Sequence, residues 1–382
     1  LTTIEGGAFA GCDGFTGSLT IPEGVTSIGS GAFYGCSGFD GTLILPSTLT
    51  TIGGGAFGGC DGFTGALTIP EGVSTIGEHA FSNCSGFSGA LTIPEGVSTI
   101  GEQAFSNCSG FSGTLTLPST LTTIGHIAFS GCSGFTGSLT IPKGVTTIGN
   151  GAFSDCSGFS GTLTLPSTLT TIGNAFDGCS GFTGSLVIPE GVTSISDTFS
   201  GCSGFNGTLT LPSTLTTIEF AAFEDCSGFT GSLTIPEGVT AIGSSAFRGC
   251  SGFTGTLTIP EGVTTIRFSA FRSCSGFSGA LTIPEGVTTI EECAFDGCSG
   301  FNGTLTLPST LTTIEESAFS GCSGISNALF LGNAPKLDVF SSSDSVFAGT
   351  AEGFTVSYLT GSTGFSTPTW FGYPCEETPE SP

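Results

Sequence analysis

Cysteine is the residue whose type and spacing most invite chemistry in this chain. Fourteen of its sixteen cysteines recur in one series: Cys12, Cys36, Cys60, Cys84, Cys108, Cys132, Cys156, Cys179, Cys202, Cys226, Cys250, Cys274, Cys298 and Cys322. Eleven of the thirteen intervals are 24 residues, and the two flanking Cys179 are 23. Dense, even cysteines ordinarily suggest a disulfide framework. The strict period argues otherwise. Equivalent positions in a stack form a column with parallel side-chain vectors, whereas a disulfide needs Cβ atoms about 3.8 Å apart and a dihedral near 90°. Metal binding is the weaker reading, because no Cys-x-x-Cys or clustered His accompanies the series. The expectation is a column of buried free thiols acting as small apolar fillers. Cys293 and Cys375 stand off the period, so a bond between them, or from one of them to another chain, is left open.

The remaining chemistry-bearing types are sparse or single. His79 and His126 occupy non-equivalent positions without a second ligand at metal spacing. Glu23, Glu71, Glu95, Glu190, Glu237, Glu261 and Glu285 follow the proline of their repeats. They alternate irregularly with Ser, and Lys143 replaces them once. Calcium needs several carboxylates converging on one point, so this column reads as a solvating acidic edge. No P-loop, Gly-x-Ser-x-Gly or dinucleotide fingerprint stands between a strand and a helix. No cofactor is expected, and no catalytic residue. Four sequons, at Asn83, Asn107, Asn206 and Asn302, are candidate N-glycan acceptors. In the first two the middle residue is a column cysteine, which hinders modification if that thiol is buried.

The elements that position these residues come from one repeat. In Leu19–Cys36, Leu19-Thr20-Ile21 alternates apolar and polar, as a half-buried strand does. Pro22-Glu23-Gly24 makes a turn. Val25 to Ile28 is a second short extended stretch, and Gly29 to Cys36 is expected to form one turn of α- or 3₁₀-helix carrying Ala32 and Phe33. A single unit cannot bury its apolar face alone, so the units must stack. Stacking turns repeat positions into surface lines. One of these lines holds Thr116, Thr140, Thr164, Thr210, Thr234 and Thr258, a candidate binding column of hydroxyls and methyls. It suits a glycan or an ice lattice, although Thr is also simply a good exposed strand residue.

The motif Leu-x-Ile-Pro-x-x-Val-x-x-Ile-Gly-x-x-Ala-Phe-x-x-Cys resembles the BspA-like class of leucine-rich repeat. The resemblance covers residues 1–325. The tail, with Gly332-Asn333-Ala334-Pro335 and Thr355-Val356-Ser357-Tyr358-Leu359, resembles the terminal segment of such proteins. The extra Gly-Phe-Thr-Gly corner before each strand is a departure. The resemblance implies secretion or surface display, an adhesive or interaction role, and no catalytic residues. The expected fold is a β-rich, leucine-rich-repeat solenoid of about fourteen coils over 1–325, with a divergent C-terminal cap over 326–375 and an acidic tail over 376–382. Apolar strands are expected in the cap around Phe330, Val339-Phe340, Phe354 to Leu359 and Trp370-Phe371.

Composition limits the partners. The 382 residues include 5 Lys or Arg against 30 Asp or Glu, a formal charge of −25. Nucleic acid is excluded, since phosphate neutralisation needs clustered cations. No apolar run approaches the roughly 20 residues that span a bilayer. With 2 His and 3 Tyr among these residues, an enzyme is disfavoured. The chain opens inside a repeat, at Leu1-Thr2-Thr3-Ile4, which suggests a processed product or a fragment. A first coil without a cap exposes an edge, so end-to-end self-association into a filament is one expectation. The expected partners are another copy of the chain, or proteins or glycans at the cell surface. The expected location is extracellular or cell-surface, and the leading function is structural or adhesive.

Overall fold

Short stretches built around a β-branched isoleucine form the strands that hold the coils together. In the computed structural model, which describes residues 1–338 and 346–379, the stretch before each Gly29-type position is a two-residue strand such as Ser27–Ile28 or Thr51–Ile52. These strands pair in parallel with equivalent residues opposed, as in Thr3↔Ser27 and Ile28↔Ile52. The isoleucines point inward and are buried. Such a residue favours the extended backbone because its branched carbon restricts χ1 and packs on a pleated surface.

The chain divides into two compact units, Leu1–Val192 and Thr193–Pro382. Each is a parallel β-solenoid. The first carries an eight-stranded sheet from Thr3–Ile4 to Thr171–Ile172. The second carries a seven-stranded sheet from Ser194–Ile195 to Lys336–Asp338.

The Leu-Thr stretch before the proline behaves differently. Leu91–Thr92 pairs with Leu115–Thr116, Leu139–Thr140 with Leu163–Thr164, and Leu233–Thr234 with Leu257–Thr258. Each pair is a separate two-stranded sheet. One face of each solenoid therefore has a continuous ladder, and another has a ladder broken between pairs of coils.

The expected helical turn is not present: Gly29 to Cys36 is a run of reverse turns. Gly31 and Gly35 have φ of 64° and 71°, outside the helical region. The Ala32, Tyr34 and Cys36 N–H groups close turns onto Gly29, Gly31 and Phe33, whereas those of Gly31, Phe33 and Gly35 donate to Gly54, Ala56 and Gly58 of the next coil. Alternate backbone donors are committed between coils, so an i→i−4 ladder cannot form.

Two phenylalanine columns fill the interior. Phe33 stacks on Phe57 with ring centroids 5.4 Å apart, and Phe39 on Phe63 at 5.0 Å. The columns meet edge to face, as at Phe57 and Phe63 (6.4 Å), the geometry that aromatic quadrupoles favour. At the corner where the chain enters a coil, glycine is a steric requirement. A Cβ on Gly134 would lie 2.1 Å from the carbonyl oxygen of Phe111 in the preceding coil.

The second unit ends in a sheet in which Gly303–Leu307, Ile325–Phe330, Thr355–Leu359 and Tyr373–Thr378 pair in parallel, and Thr369–Trp370 folds back antiparallel. Trp370 is buried against Phe330 and Phe365, with centroids at 5.4 and 5.1 Å. The stretch read as an acidic tail begins as part of this sheet, because Glu376 and Glu377 pair with Ser357 and Tyr358. The expected strand at Val339-Phe340 lies outside the described residues.

Candidate functional site

The cysteine column is interior and chemically quiet. From Cys36 to Cys322 every column thiol is buried, and all sixteen cysteines of the chain are free. Twelve of these thiols donate to a backbone carbonyl of the preceding coil. Cys60 Sγ donates to the carbonyl of Phe33 at 3.0 Å, Cys132 to Phe105 at 3.0 Å and Cys298 to Phe271 at 3.0 Å. The same carbonyl also accepts the N–H of the cysteine in its own coil, as Phe33 does from Cys36. The thiol ladder therefore stitches consecutive coils. Burial pushes the thiols of Cys60 and Cys132 up to about 12, and others, such as Cys156 and Cys226, well above the ordinary range. Nucleophilic and metal-binding sulfur must be thiolate, so these raised thiols act as protonated spacers. Cys293 is half-buried in a turn run, and Cys375 is buried in strand Tyr373–Thr378. Both are free thiols.

The histidines stay apart from any cluster. His126 is exposed, and its Nδ1 accepts the N–H of Asn150 at 3.1 Å. His79 is half-buried, with its backbone N–H on Glu102. Among the described residues no group of three His, Cys, Asp or Glu side chains could hold a metal ion. No helix among them is long and apolar enough to cross a membrane.

The threonines are where outward chemistry gathers. Thr116, Thr140, Thr164, Thr210, Thr234 and Thr258 are all exposed. The ladder brings Thr92 beside Thr116, Thr140 beside Thr164, and Thr234 beside Thr258. Between Thr116 and Thr140 it is broken. Over that break lies a groove of about 700 Å³, lined by Glu95, Thr116, Ser119, Ser138, Thr140 and Lys143 among others.

Sequence reading saw the residues around this groove but not how they are joined. Glu95 caps the following coil, its carboxylate accepting the Ser119 N–H at 3.0 Å and the Ser119 hydroxyl at 2.8 Å. Glu23 does the same for Ser47, and Glu285 for Ser309. These Ser47 donors hold the Glu23 carboxyl below its usual range. Ser138 accepts the N–H of Thr162 at 3.0 Å, and Ser18 accepts that of Thr42 at 3.0 Å. The signal was available in the chain. Each Pro-Ser-Thr coil follows a Pro-Glu-Gly coil or, at Lys143, a Pro-Lys-Gly coil.

The four sequon asparagines are exposed. Asn83 and Asn107 sit at φ of 59° and 58°, and the Asn107 amide donates to Asn83 Oδ1 at 3.0 Å. Their middle residues, Cys84 and Cys108, are fully buried. In Asn302-Gly303-Thr304 the middle residue is exposed glycine.

The sequence profile of the BspA-type leucine rich repeat region matches residues 2–136, 87–206, 174–280 and 279–351. Among solved structures, a leucine-rich repeat protein from Bacteroides ovatus is similar, with a TM-score of 0.65, 25% identity, and 89% of this chain and 88% of that one covered. A leucine-rich repeat protein from Eubacterium ventriosum is similar in fold, with a TM-score of 0.50, 20% identity, and 92% and 90% covered. Among curated proteins none matches.

Proposed function

The chain belongs to the BspA-type leucine-rich repeat family, and from that premise we propose that it is a non-enzymatic interaction module displayed outside the cell, where it binds other proteins through its broken strand face. The observation that carries this reading is the groove over the break between Leu115–Thr116 and Leu139–Thr140. It is the place where exposed hydroxyls, a carboxylate and the sole cationic side chain of the first unit adjoin. Extracellular display agrees with the family resemblance, with a surface rich in Thr, Ser and Gly, and with exposed sequons.

Adhesion is the role such a face serves, and a panel of cell-surface and matrix proteins, tested by surface plasmon resonance, would assess it. Tyr at both Thr116 and Thr140 fills the groove from two exposed positions without touching the core. The double variant is expected to keep its thermal melt and to lose at least tenfold in affinity for whichever protein binds. Equal binding by variant and parent would remove the groove from the function.

End-to-end assembly has less support. An apolar cleft of about 300 Å³ lies at the first coil, among Leu1, Ile4, Phe9 and Phe15. The matching apolar residues at the other end, Trp370 and Phe354, are buried inside the cap.

A further inference from the structure

The Glu-to-Ser caps define a geometry that one coil lacks. Where Glu23, Glu95 and Glu285 meet Ser47, Ser119 and Ser309, a carboxylate accepts a backbone N–H at 3.0, 3.0 and 3.1 Å and a hydroxyl at 2.9, 2.8 and 2.7 Å. At the junction that follows Glu95–Ser119 in the chain the carboxylate is replaced by Lys143, and the serine is Ser167. The turn itself is unchanged. The Leu169 N–H closes onto Pro166 at 3.0 Å, as Leu49 does onto Pro46 at 3.1 Å. Thr168 Oγ1 reaches the Val145 carbonyl at 3.3 Å, as Thr120 reaches Val97 at 3.0 Å. The Ser167 N–H and hydroxyl are thus held as in the capped coils, yet no acceptor from the described residues meets them. Lys143 is exposed and forms no ion pair among the described residues.

We propose that Lys143 and Ser167 form a binding position for an extrinsic carboxylate, that of an aspartate or glutamate side chain on a protein partner. The chain shows the occupant's chemistry in its own capped coils, where the group seated on the serine is a glutamate side chain from the neighbouring turn. The lysine supplies a cation beside two hydrogen-bond donors, and charge-assisted contacts of this kind are roughly twice as strong as neutral ones. The chain's net charge of −25 repels an acidic partner at long range, but salt screens that field beyond about 8 Å under physiological conditions, so the local cation decides. Lys143 also lines the groove beside Thr140, which gives the rest of the partner a surface to cover. The choice of a protein as the source rests on the interaction reading above; the carboxylate chemistry does not.

The test is amide NMR of the full chain titrated with acetyl-Gly-Glu-Gly-amide and, separately, with glucuronate. The Ser167 amide is expected to shift saturably with the peptide, while the Ser119 amide, already capped by Glu95, stays still. Lys143→Ala is expected to weaken binding about tenfold, the factor of one charge-assisted hydrogen bond. Lys143→Glu is expected to abolish it by supplying the carboxylate internally, and to raise the thermal melt. A Ser167 amide that does not move, or that moves equally in Lys143→Glu, overturns the site. A response to glucuronate alone overturns the protein source. A Ser167 response to peptide, together with no binding to any protein of the panel, would instead count against the interaction reading while leaving the carboxylate position standing.

Discussion

At the scale of single residues, the cysteines show how burial decides chemistry. A thiol in a periodic column could be a redox, metal or disulfide group; here thiols such as Cys60 and Cys132 donate a hydrogen bond to a phenylalanine carbonyl of the preceding coil, and burial keeps them protonated. Two consequences are measurable. Cys12 and Cys293 are the half-buried thiols and the other fourteen are buried, so a thiol reagent is expected to label two of sixteen groups in the native chain and the rest only in denaturant. Rapid labelling of the whole set would contradict the ladder. The second consequence concerns pH. Thiols raised to about 12 in the fold, as Cys60 and Cys132 are, keep their protons after the unfolded chain loses its own near pH 8.5. Their contribution to stability is complete below that pH and is lost as pH rises toward 12. Each such thiol then costs about 1.4 kcal/mol per pH unit. The melting temperature is expected to be flat from pH 6 to 8 and to fall steeply above pH 9.

At the scale of the element, the coil is a set of turns whose backbone donors point alternately inward to the same coil and outward to the next. Its corner glycine exists because two backbones touch there. Gly134→Ala would place a methyl 2.1 Å from the Phe111 carbonyl, and overpacking of this kind costs about 1–3 kcal/mol. A thermal or denaturant melt of this variant is expected to show a loss of that order, and an unchanged midpoint would refute the close approach. The Glu caps are weaker, being exposed and open to water. Glu285→Gln keeps an acceptor but loses the charge, so its loss is expected to be at most about 1 kcal/mol, and smaller than that of the glycine variant. The helix expected from Gly29 to Cys36 failed for a reason visible only with neighbours present. Glycines at Gly31 and Gly35 permit a left-handed backbone, and the next coil's carbonyls at Gly54, Ala56 and Gly58 make that conformation favourable.

At the scale of the whole molecule, each unit is one-dimensional: every coil contacts chiefly its neighbours, and stability accumulates by interfaces. Deleting one full repeat should therefore preserve the fold, whereas deleting half of one should not. Removal of 85–108 brings Glu71 before Ser119, so the cap now made by Glu95 would be re-formed by an equivalent residue. This 24-residue deletion is expected to keep its strand content by circular dichroism and a single cooperative melt. Removal of 85–96 puts the inward residues of one coil out of phase with the next and is expected to destroy cooperative unfolding. If both deletions behaved alike, the register argument would be wrong.

Much of this protein was legible in the chain itself. The period of 24, the inward Leu, Ile, Val and Phe, the outward Thr and the buried thiols follow from spacing alone, because a stack repeats whatever one coil does. What only the tertiary structure decided are the relations between coils: which Leu-Thr strands pair, where the ladder opens over Thr116 and Thr140, and that Glu95 closes Ser119 while Lys143 leaves Ser167 open. Those bonds join residues 23 to 27 positions apart. Their formation depends on how neighbouring backbones are spaced and turned, which no single repeat encodes.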